Sequence, residues 1–189
     1  MKEYRKIFLI VIAVFIITGL LEYWMGRLPL GPDGKFGWWD GDIWSSETSQ
    51  RFADPYSITH IEHGIMFYAL LWLFARKIPI KYRFLMAVGL EAGWEILENS
   101  PIIINRYREV TISLGYVGDS IINSLSDIIM MIIGFLLSYR LKVWITITAL
   151  VLVEIILLFL IRDNLALNIL MLIYPIEAIK HWQMMGKSL

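Results

Sequence analysis

The fold of this chain is constrained most by a series of apolar runs, each close to the roughly 20 residues that an α-helix needs to cross a bilayer. Hydrophobic residues make up 58% of the sequence and charged residues only 18%, which is too apolar for an ordinary soluble domain. We therefore predict an all-α, polytopic helical membrane protein with a single transmembrane domain over residues 1–189. We expect six spans, or five if the last run does not cross: residues 7–21, 57–75, 84–104, 118–139, a fifth ending near 161, and 165–179.

Basic connectors predict the orientation of these spans, because positive charge stays on the cytoplasmic side of a membrane. The N-terminus and residues 76–83, 140–142 and 180–187 carry such charge, so both termini are expected in the cytoplasm. The tryptophan-rich stretch 26–56 then forms an extracytoplasmic loop. The formal net charge is zero, which gives no sign of a nucleic acid partner, and the absence of cysteine excludes disulfides and thiolate metal sites.

Ionisable side chains interrupt the apolar runs at helical spacing. At about 100° per residue, one predicted span carries a stripe of three glutamates, and the next carries a polar stripe of four residues. A charge at the centre of a membrane helix costs about 2.5–3.5 kcal/mol, so we expect these groups to face a polar interior cavity that opens outward. The two stripes are Glu91, Glu95 and Glu98, and Asp119, Asn123, Ser126 and Asp127.

Two histidines one helical turn apart complete a candidate metal centre. We predict that a divalent metal is bound by His60, His63, Glu95, Glu98 and Asp119, a donor set that suits zinc, iron or manganese. Glu91 and Asp127 are the predicted catalytic residues, one of which would act as general base toward metal-activated water. The alternative is structural, with the same groups bonded to one another to fix the packing of membrane helices.

A predicted loop after the third span carries Arg106 and Arg108. Guanidinium groups suit phosphate, so we expect both to bind an anionic lipid headgroup, although arginines near helix ends also extend into headgroups without a specific ligand. The remaining predicted substrate-binding residues are polar groups at the same end of the spans. They are Asn99, Asn123, Arg162 and Asp163.

These residues favour a membrane-embedded, metal-assisted hydrolase or transferase that acts on a lipid or lipid-linked phosphate at the outer leaflet. One alternative is a lipid-binding or ion/proton-coupled transport protein, in which the acidic stripes form a cation path. Another is a non-catalytic envelope assembly protein, whose function would survive neutralisation of the carboxylates.

Three segments resemble an uncharacterised family of bacterial multi-pass membrane proteins, the domain of unknown function 2585 family. They are SSETSQRFADPYSITHIEHGIMFY, EAGWEILENSPIIINRYREVTISLGYVGDSIINSLSD and IRDNLALNILMLIYPIEAIKHWQ. The resemblance implies a multi-pass protein of the bacterial cytoplasmic (inner) membrane and no particular activity. More loosely, the order Glu98, Arg106, Asp119, Asn123 and Gly134 is similar to that of VanZ-like envelope proteins, which implies a cell-envelope setting.

Overall fold

The computed structural model describes residues 2–186, which are helical except for connecting segments and one isolated β-bridge between Trp39 and Ala53. The all-α expectation is confirmed over this part of the chain. Eight helices follow one another: α1 Lys2–Trp24, α2 Ser57–Ala75, α3 Ile80–Glu98, α4 Pro101–Val110, α5 Ile121–Arg140, α6 Val143–Ile161, α7 Leu165–Ile173 and α8 Glu177–Met184.

Four of these helices, α1, α2, α5 and α6, are both long enough and apolar enough to cross a membrane. The third predicted span differs, because α3 has 19 residues but carries too many charged groups to meet the same criterion of composition. The last predicted span is divided between α7 and α8. With nine residues, α7 is roughly 14 Å long, less than half of the ~30 Å hydrocarbon core.

The prediction of a loop around Arg106 and Arg108 is wrong, because both residues lie within α4. The predicted third span, residues 84–104, includes Pro101, whereas α3 ends at Glu98. Pro101 is instead the first residue of a new helix, a position where proline is favoured since its missing N–H would be unpaired there anyway. The chain turns at Asn99 and Ser100, and α4 leaves the direction of α3 as a separate short helix.

Helices α2 and α5 are in backbone contact at two glycines. A Cβ atom on Gly64 would lie 2.0 Å from the carbonyl oxygen of Met131, and one on Gly134 would lie 1.9 Å from that of Ile61. No other residue fits these positions without a shift of the backbone, and small residues commonly allow such approach between membrane helices. His60 lies one turn before Gly64 and Asp127 two turns before Gly134, so the glycines also set how close these side chains come.

An apolar cluster fills the bundle around this crossing and beyond it. It joins α2, α3 and α5 through residues that are almost inaccessible, among them Leu71, Val88 and Phe135. The outer helices α1 and α6 instead expose most of their apolar side chains. A surface of that kind suits contact with lipid, so the protein is a helical membrane protein with a packed core of three helices.

The segment between α1 and α2 covers the end of the bundle at which α5 begins. Its backbone runs beside the first turns of α5, where Ser120 Oγ donates to the carbonyl of Gln50 at 3.1 Å and Asn123 Nδ2 donates to that of Arg51 at 3.0 Å. Ser126 Oγ donates to the carbonyl of Phe52. Part of the predicted polar stripe of α5 therefore holds this covering segment, residues 25–56, in place.

Candidate functional site

The carboxylate of Glu91 joins both histidines of α2. Its Oε1 lies 2.6 Å from Nδ1 of His60 and 3.1 Å from Nδ1 of His63, and its Oε2 lies 3.1 Å from the same atom of His63. Glu91 is fully buried in α3, whereas the histidines are slightly exposed. A carboxylate can only accept hydrogen bonds, so we assign the proton of each ring to Nδ1, which leaves both Nε2 atoms free of Glu91.

The other two glutamates of α3 continue the stripe. Glu95 is fully buried, and its Oε1 lies 3.3 Å from Nδ1 of His60, yet neither of its oxygens makes a hydrogen bond within residues 2–186. Glu98 is partly exposed. Two triplets bring their ligand atoms within 4.8 Å of one another and have the spacing of a metal site: His60, His63 and Glu91, and His60, Glu95 and Glu98.

Asp127 of α5 approaches the same histidine from the opposite side. Its Oδ2 lies 3.7 Å from Nε2 of His60, and its Oδ1 makes no hydrogen bond in the described part of the chain, although the residue is only 4% exposed. Nε2 is the atom that Glu91 leaves free. The structure thus brings His60 between carboxylates of α3 and α5.

Asp119 lies apart from the histidines, in a hydrogen-bonded network just before α5. Asn99 Nδ2 donates to its Oδ2 at 3.1 Å, and its backbone N–H donates to Asn99 Oδ1 at 2.7 Å. Tyr116 donates to its Oδ1 at 2.9 Å. Burial raises the pKa of Asp119 to about 7, with a smaller rise from the charge of Asp54, while the Tyr116 hydrogen bond opposes the shift. Asn99 therefore links the end of α3 to Asp119 and to Ser124 of α5.

A cavity of about 880 Å³ runs through this region, a volume typical of ligand sites. Along α2 and α3 its lining changes from ionisable side chains at His60, His63 and Glu98 to apolar ones at Met66, Phe67 and Leu90, and residues of α7 and of the segment before α5 complete the wall. No lysine or arginine of residues 2–186 lines it. The acidic and histidine side chains of the lining are Asp54, His60, His63, Glu98, Asp119 and Asp127, and three tyrosines, Tyr56, Tyr107 and Tyr116, also line it.

None of the three arginines predicted to bind substrate reaches this cavity. Arg106 Nε donates to the carbonyl of Leu172 at 2.9 Å, and Arg108 Nε donates to that of Tyr116. Arg162 Nη1 donates to the carbonyl of Trp182 at 3.1 Å. Each guanidinium therefore fastens one segment to another at the surface.

Asp163 also joins segments outside the cavity. Its Oδ1 accepts from Gln183 Nε2 at 3.0 Å and its Oδ2 from the Tyr56 hydroxyl at 3.2 Å, so it connects the covering segment with α8. Asn123 does line the cavity, but its amide nitrogen is bonded to the covering segment. Of the six predicted substrate-binding residues, Asn123 alone lines the cavity.

Sequence reasoning missed several groups near the site. Asp54 accepts from the backbone N–H of Tyr56 at 2.7 Å and of Ser57 at 3.1 Å, which anchors the start of α2, and its burial raises its pKa. Tyr107 lies beside Glu98. Burial, and to a smaller extent the charge of Glu98, raises the pKa of its hydroxyl well above the ordinary value. The polar spacing of α4 could have indicated Tyr107, whereas no pattern marks Asp54.

Two further glutamates are buried outside the predicted stripes. Glu22 of α1 is 0% exposed and Glu62 of α2 is 1% exposed. Glu62 lies next to Glu154 of α6, whose carboxylate accepts weakly from the backbone N–H of Ala166 at 3.3 Å. Both Glu22 and Glu62 lie at or near the ends of predicted spans, and the sequence interpretation did not assign them to the site.

Comparison with known proteins yields a family match over most of the chain. The model of a family described as a protein of unknown function (DUF2585) matches residues 22–185. A UPF0314 protein of Paracoccus denitrificans is 47% identical over 170 residues, which cover 90% of this chain and 88% of that protein. One of Rhizobium etli is 46% identical over 176 residues, covering 93% and 90%, and one of Sphingopyxis alaskensis is 44% identical over 186 residues, covering 96% and 97%.

No solved structure matches the chain. The looser similarity to VanZ-like envelope proteins is not shown by these comparisons. The names of these relatives give no substrate, cofactor or reaction. Any statement on activity has to come from the cavity and the groups around it.

Proposed function

The chain belongs to the DUF2585 family, and we propose that it is a membrane-embedded hydrolase or transferase that acts on a lipid or lipid-linked phosphate. The observation that carries the proposal is the cavity with one ionisable and one apolar end. An amphipathic substrate would match both ends at once. The histidines stand at the ionisable end, where the reacting headgroup would be placed, and the basic connectors support an extracytoplasmic position for that end.

The donor set fits a divalent metal such as zinc, iron or manganese. His60 and His63 would bind it through Nε2, because Glu91 accepts from Nδ1 of both rings. Asp127, whose Oδ2 lies 3.7 Å from Nε2 of His60, would be a third ligand after a side-chain rotation, because its ligand atom and those of both histidines do not yet lie within 4.8 Å of one another. When bound, such an ion would polarise a phosphoryl or carbonyl group and acidify a water molecule. Glu91 is then a positioning residue rather than the general base suggested by the sequence.

Glu95 and Glu98 remain as a second set of carboxylates on the other side of His60. Glu95 is buried without a hydrogen-bond partner among the described residues, a costly state that a bound cation or proton would relieve. Glu98 lines the cavity, so it is the better placed of the two to exchange a proton with a substrate, whereas Glu95 lies behind it.

The acidic lining of the cavity limits which headgroups it would accept. A phosphate would meet Asp54, Glu98, Asp119 and Asp127 without a lysine or arginine to offset them in the described part of the chain. Repulsion between such charges is strong in a medium of low dielectric constant. A bound metal is therefore a condition for a phosphate substrate, and the two parts of the proposal depend on each other.

Ion or proton transport is the alternative that the packing disfavours. A transported ion needs a route from one face of the membrane to the other. Beyond the Gly64–Gly134 crossing, the space between α2, α3 and α5 is filled by the apolar cluster around Leu71, Val88 and Phe135. A cavity closed at one end suits binding and reaction better than passage.

Metal analysis tests the proposal directly. Protein purified without chelator, and reconstituted separately with zinc, iron and manganese, should hold at least one ion per chain. His63→Ala should remove it, whereas His181→Ala, at an exposed histidine of α8, should not. Size-exclusion profiles and helical content would establish that each variant folds. Wild-type protein with no stoichiometric ion under all three conditions would overturn the metal-dependent enzyme.

A further inference from the structure

We propose that the apolar end of the cavity is a groove for one hydrocarbon chain of a membrane lipid, which lies between α2 and α3 and enters sideways from the bilayer. This inference rests on the proposed function for the role of the headgroup end, and it specifies the substrate class. We call this end the α2–α3 groove. Its walls are Met66 and Phe67 of α2 and Leu90, Trp94 and Leu97 of α3.

Gly89 and Gly93 form the floor of the α2–α3 groove. They are one helical turn apart on α3, and both line the cavity. A Cβ atom on either would meet nothing within 4 Å, in contrast to Gly64 and Gly134, where the backbone of a neighbouring helix occupies that space. Helix packing therefore does not require these glycines. Their effect is to keep open a channel that larger side chains would fill.

The dimensions of the groove fit a single extended chain. From Gly89 to Glu98, α3 rises about 14 Å at 1.5 Å per residue. Neighbouring helices pack with their axes about 8–10 Å apart, so a gap between α2 and α3 has room for the width of one hydrocarbon chain. The groove begins at the ionisable end and continues toward the middle of the helices.

The exposed apolar side chains of α3 indicate how the hydrocarbon chain of the lipid would enter the groove. Leu90 is 51% exposed and Leu97 is 47% exposed, although both also line the cavity. The groove is thus open along its side, at a depth where apolar helix surfaces contact lipid. A lipid could enter from the bilayer without leaving an apolar environment, which avoids the cost of transferring its chain through water.

A second observation points to a ligand at the other end of the same cavity. Asp127 is 4% exposed and lines the cavity, and its Oδ1 makes no hydrogen bond within the described residues. Buried polar atoms are rarely left without a partner. A headgroup donor or a cation would satisfy this oxygen while the chain occupies the α2–α3 groove.

The groove is tested by filling it. Gly93→Leu places a side chain in open space, and we expect binding of hexadecyl phosphate, measured by native mass spectrometry and by calorimetry in detergent, to weaken by about tenfold or more. Ala69→Leu, which adds similar bulk at an exposed position of α2 outside the cavity, should bind as wild type does. Equal thermal unfolding temperatures of the two variants would confirm intact folding. Wild-type binding by Gly93→Leu would overturn the groove.

Two further probes separate this inference from the proposed enzyme. Hexadecanol has the chain without the phosphate, so the groove predicts that metal-free protein binds it and that Gly93→Leu does not. Dihexadecyl phosphate has two chains and should bind more weakly than hexadecyl phosphate; equal or tighter binding would overturn the single-chain groove. Loss of hexadecanol binding in Gly93→Leu with no metal in any preparation would leave the groove standing and reject the metal enzyme. Unchanged hexadecanol binding in Gly93→Leu, together with a stoichiometric metal ion in the wild type, would reject the groove and leave the metal enzyme standing.

Discussion

Glu91 Oε1 lies 2.6 Å from Nδ1 of His60, a contact between two helices in which one partner is fully buried. The same carboxylate also reaches His63, so a single residue of α3 orients both imidazoles of α2. Carboxylates that accept from the far nitrogen of a metal-bound histidine fix its tautomer and raise its basicity.

Glu91→Gln should therefore weaken metal binding without removing any proposed ligand. We expect a loss of about 10–100-fold in zinc affinity, because the neutral amide no longer stabilises the Nδ1 protons of both rings. Chelator competition on purified protein measures the change. Glu109→Gln, at an exposed position of α4, is the matched control. An unchanged zinc affinity in Glu91→Gln would show that Glu91 does not position the two histidines for metal binding.

Gly134→Ala should destabilise the protein, since the added methyl group would meet the carbonyl of Ile61 at 1.9 Å. Overpacking of this kind costs about 1–3 kcal/mol, and a rigid helix backbone offers little relief. Gly89→Ala has open space and should be neutral or stabilising by up to about 1 kcal/mol, because alanine favours helix more than glycine. Thermal unfolding in detergent compares the two, and equal effects would contradict the close contact.

Asp163 should make stability depend on pH. Burial raises its pKa from the ordinary 3.8 to about 6, against hydrogen bonds from Asn164, Tyr56, Asn168 and Gln183. A carboxyl whose pKa is higher in the folded protein favours folding below the unfolded pKa, and this contribution is lost as the pH rises through the folded value. A shift of about two pKa units corresponds to roughly 3 kcal/mol of the free energy of unfolding. This contribution should be lost as the pH rises from about 4 to above 6.

Asp163→Asn keeps the shape of the side chain and removes the titration. Its unfolding temperature, measured in detergent across the same pH range, should vary less than that of the wild type. The amide nitrogen can donate to the Tyr56 hydroxyl, which now donates to Asp163 Oδ2. A variant with the same slope as wild type would show that Asp163 does not titrate in this range.

Asn123→Ala should loosen the covering segment. The substitution removes the 3.0 Å hydrogen bond to the carbonyl of Arg51, a bond of the kind that contributes about 0.5–1.5 kcal/mol. We expect faster proteolytic cleavage within residues 25–56, followed by mass spectrometry of the fragments. Asn105→Ala, at an exposed position of α4, is the control and should be cleaved at the wild-type rate. Equal rates for both would mean that Asn123 does not secure the segment.

Much of the bundle could be predicted because a membrane helix is marked by a continuous run of apolar residues, which can be recognised without knowing its distant contacts. Apolar runs located α2 and α6 to within a few residues. Helical periodicity placed Glu91 and Glu95 on one face, and both are fully buried. The charge density of α3 made its status as a span harder to define, because the same glutamates that form the cluster reduce its hydropathy.

The parts that could not be predicted depend on contacts between distant segments. Arg106 and Arg108 were assigned to a ligand from their charge alone, but their partners are backbone carbonyls of Leu172 and Tyr116, which no local pattern marks. The predicted third span continues through Pro101 to residue 104, but this proline begins α4, and the hydropathy of the run does not show that break. Asn123 was recognised as inward-facing, yet its main partner lies in the covering segment.

The bonds that hold the covering segment have a consequence for the synthesis of the protein. The carbonyl of Gln50 receives its donor from Ser120, 70 residues further along the chain, so the two cannot meet until the ribosome has completed several later helices. During translation the covering segment lacks these partners until α5 has been inserted, and only then can it bind to the end of the bundle. Nascent chains stopped before α5 should therefore expose this segment to protease, whereas chains released after α5 should protect it.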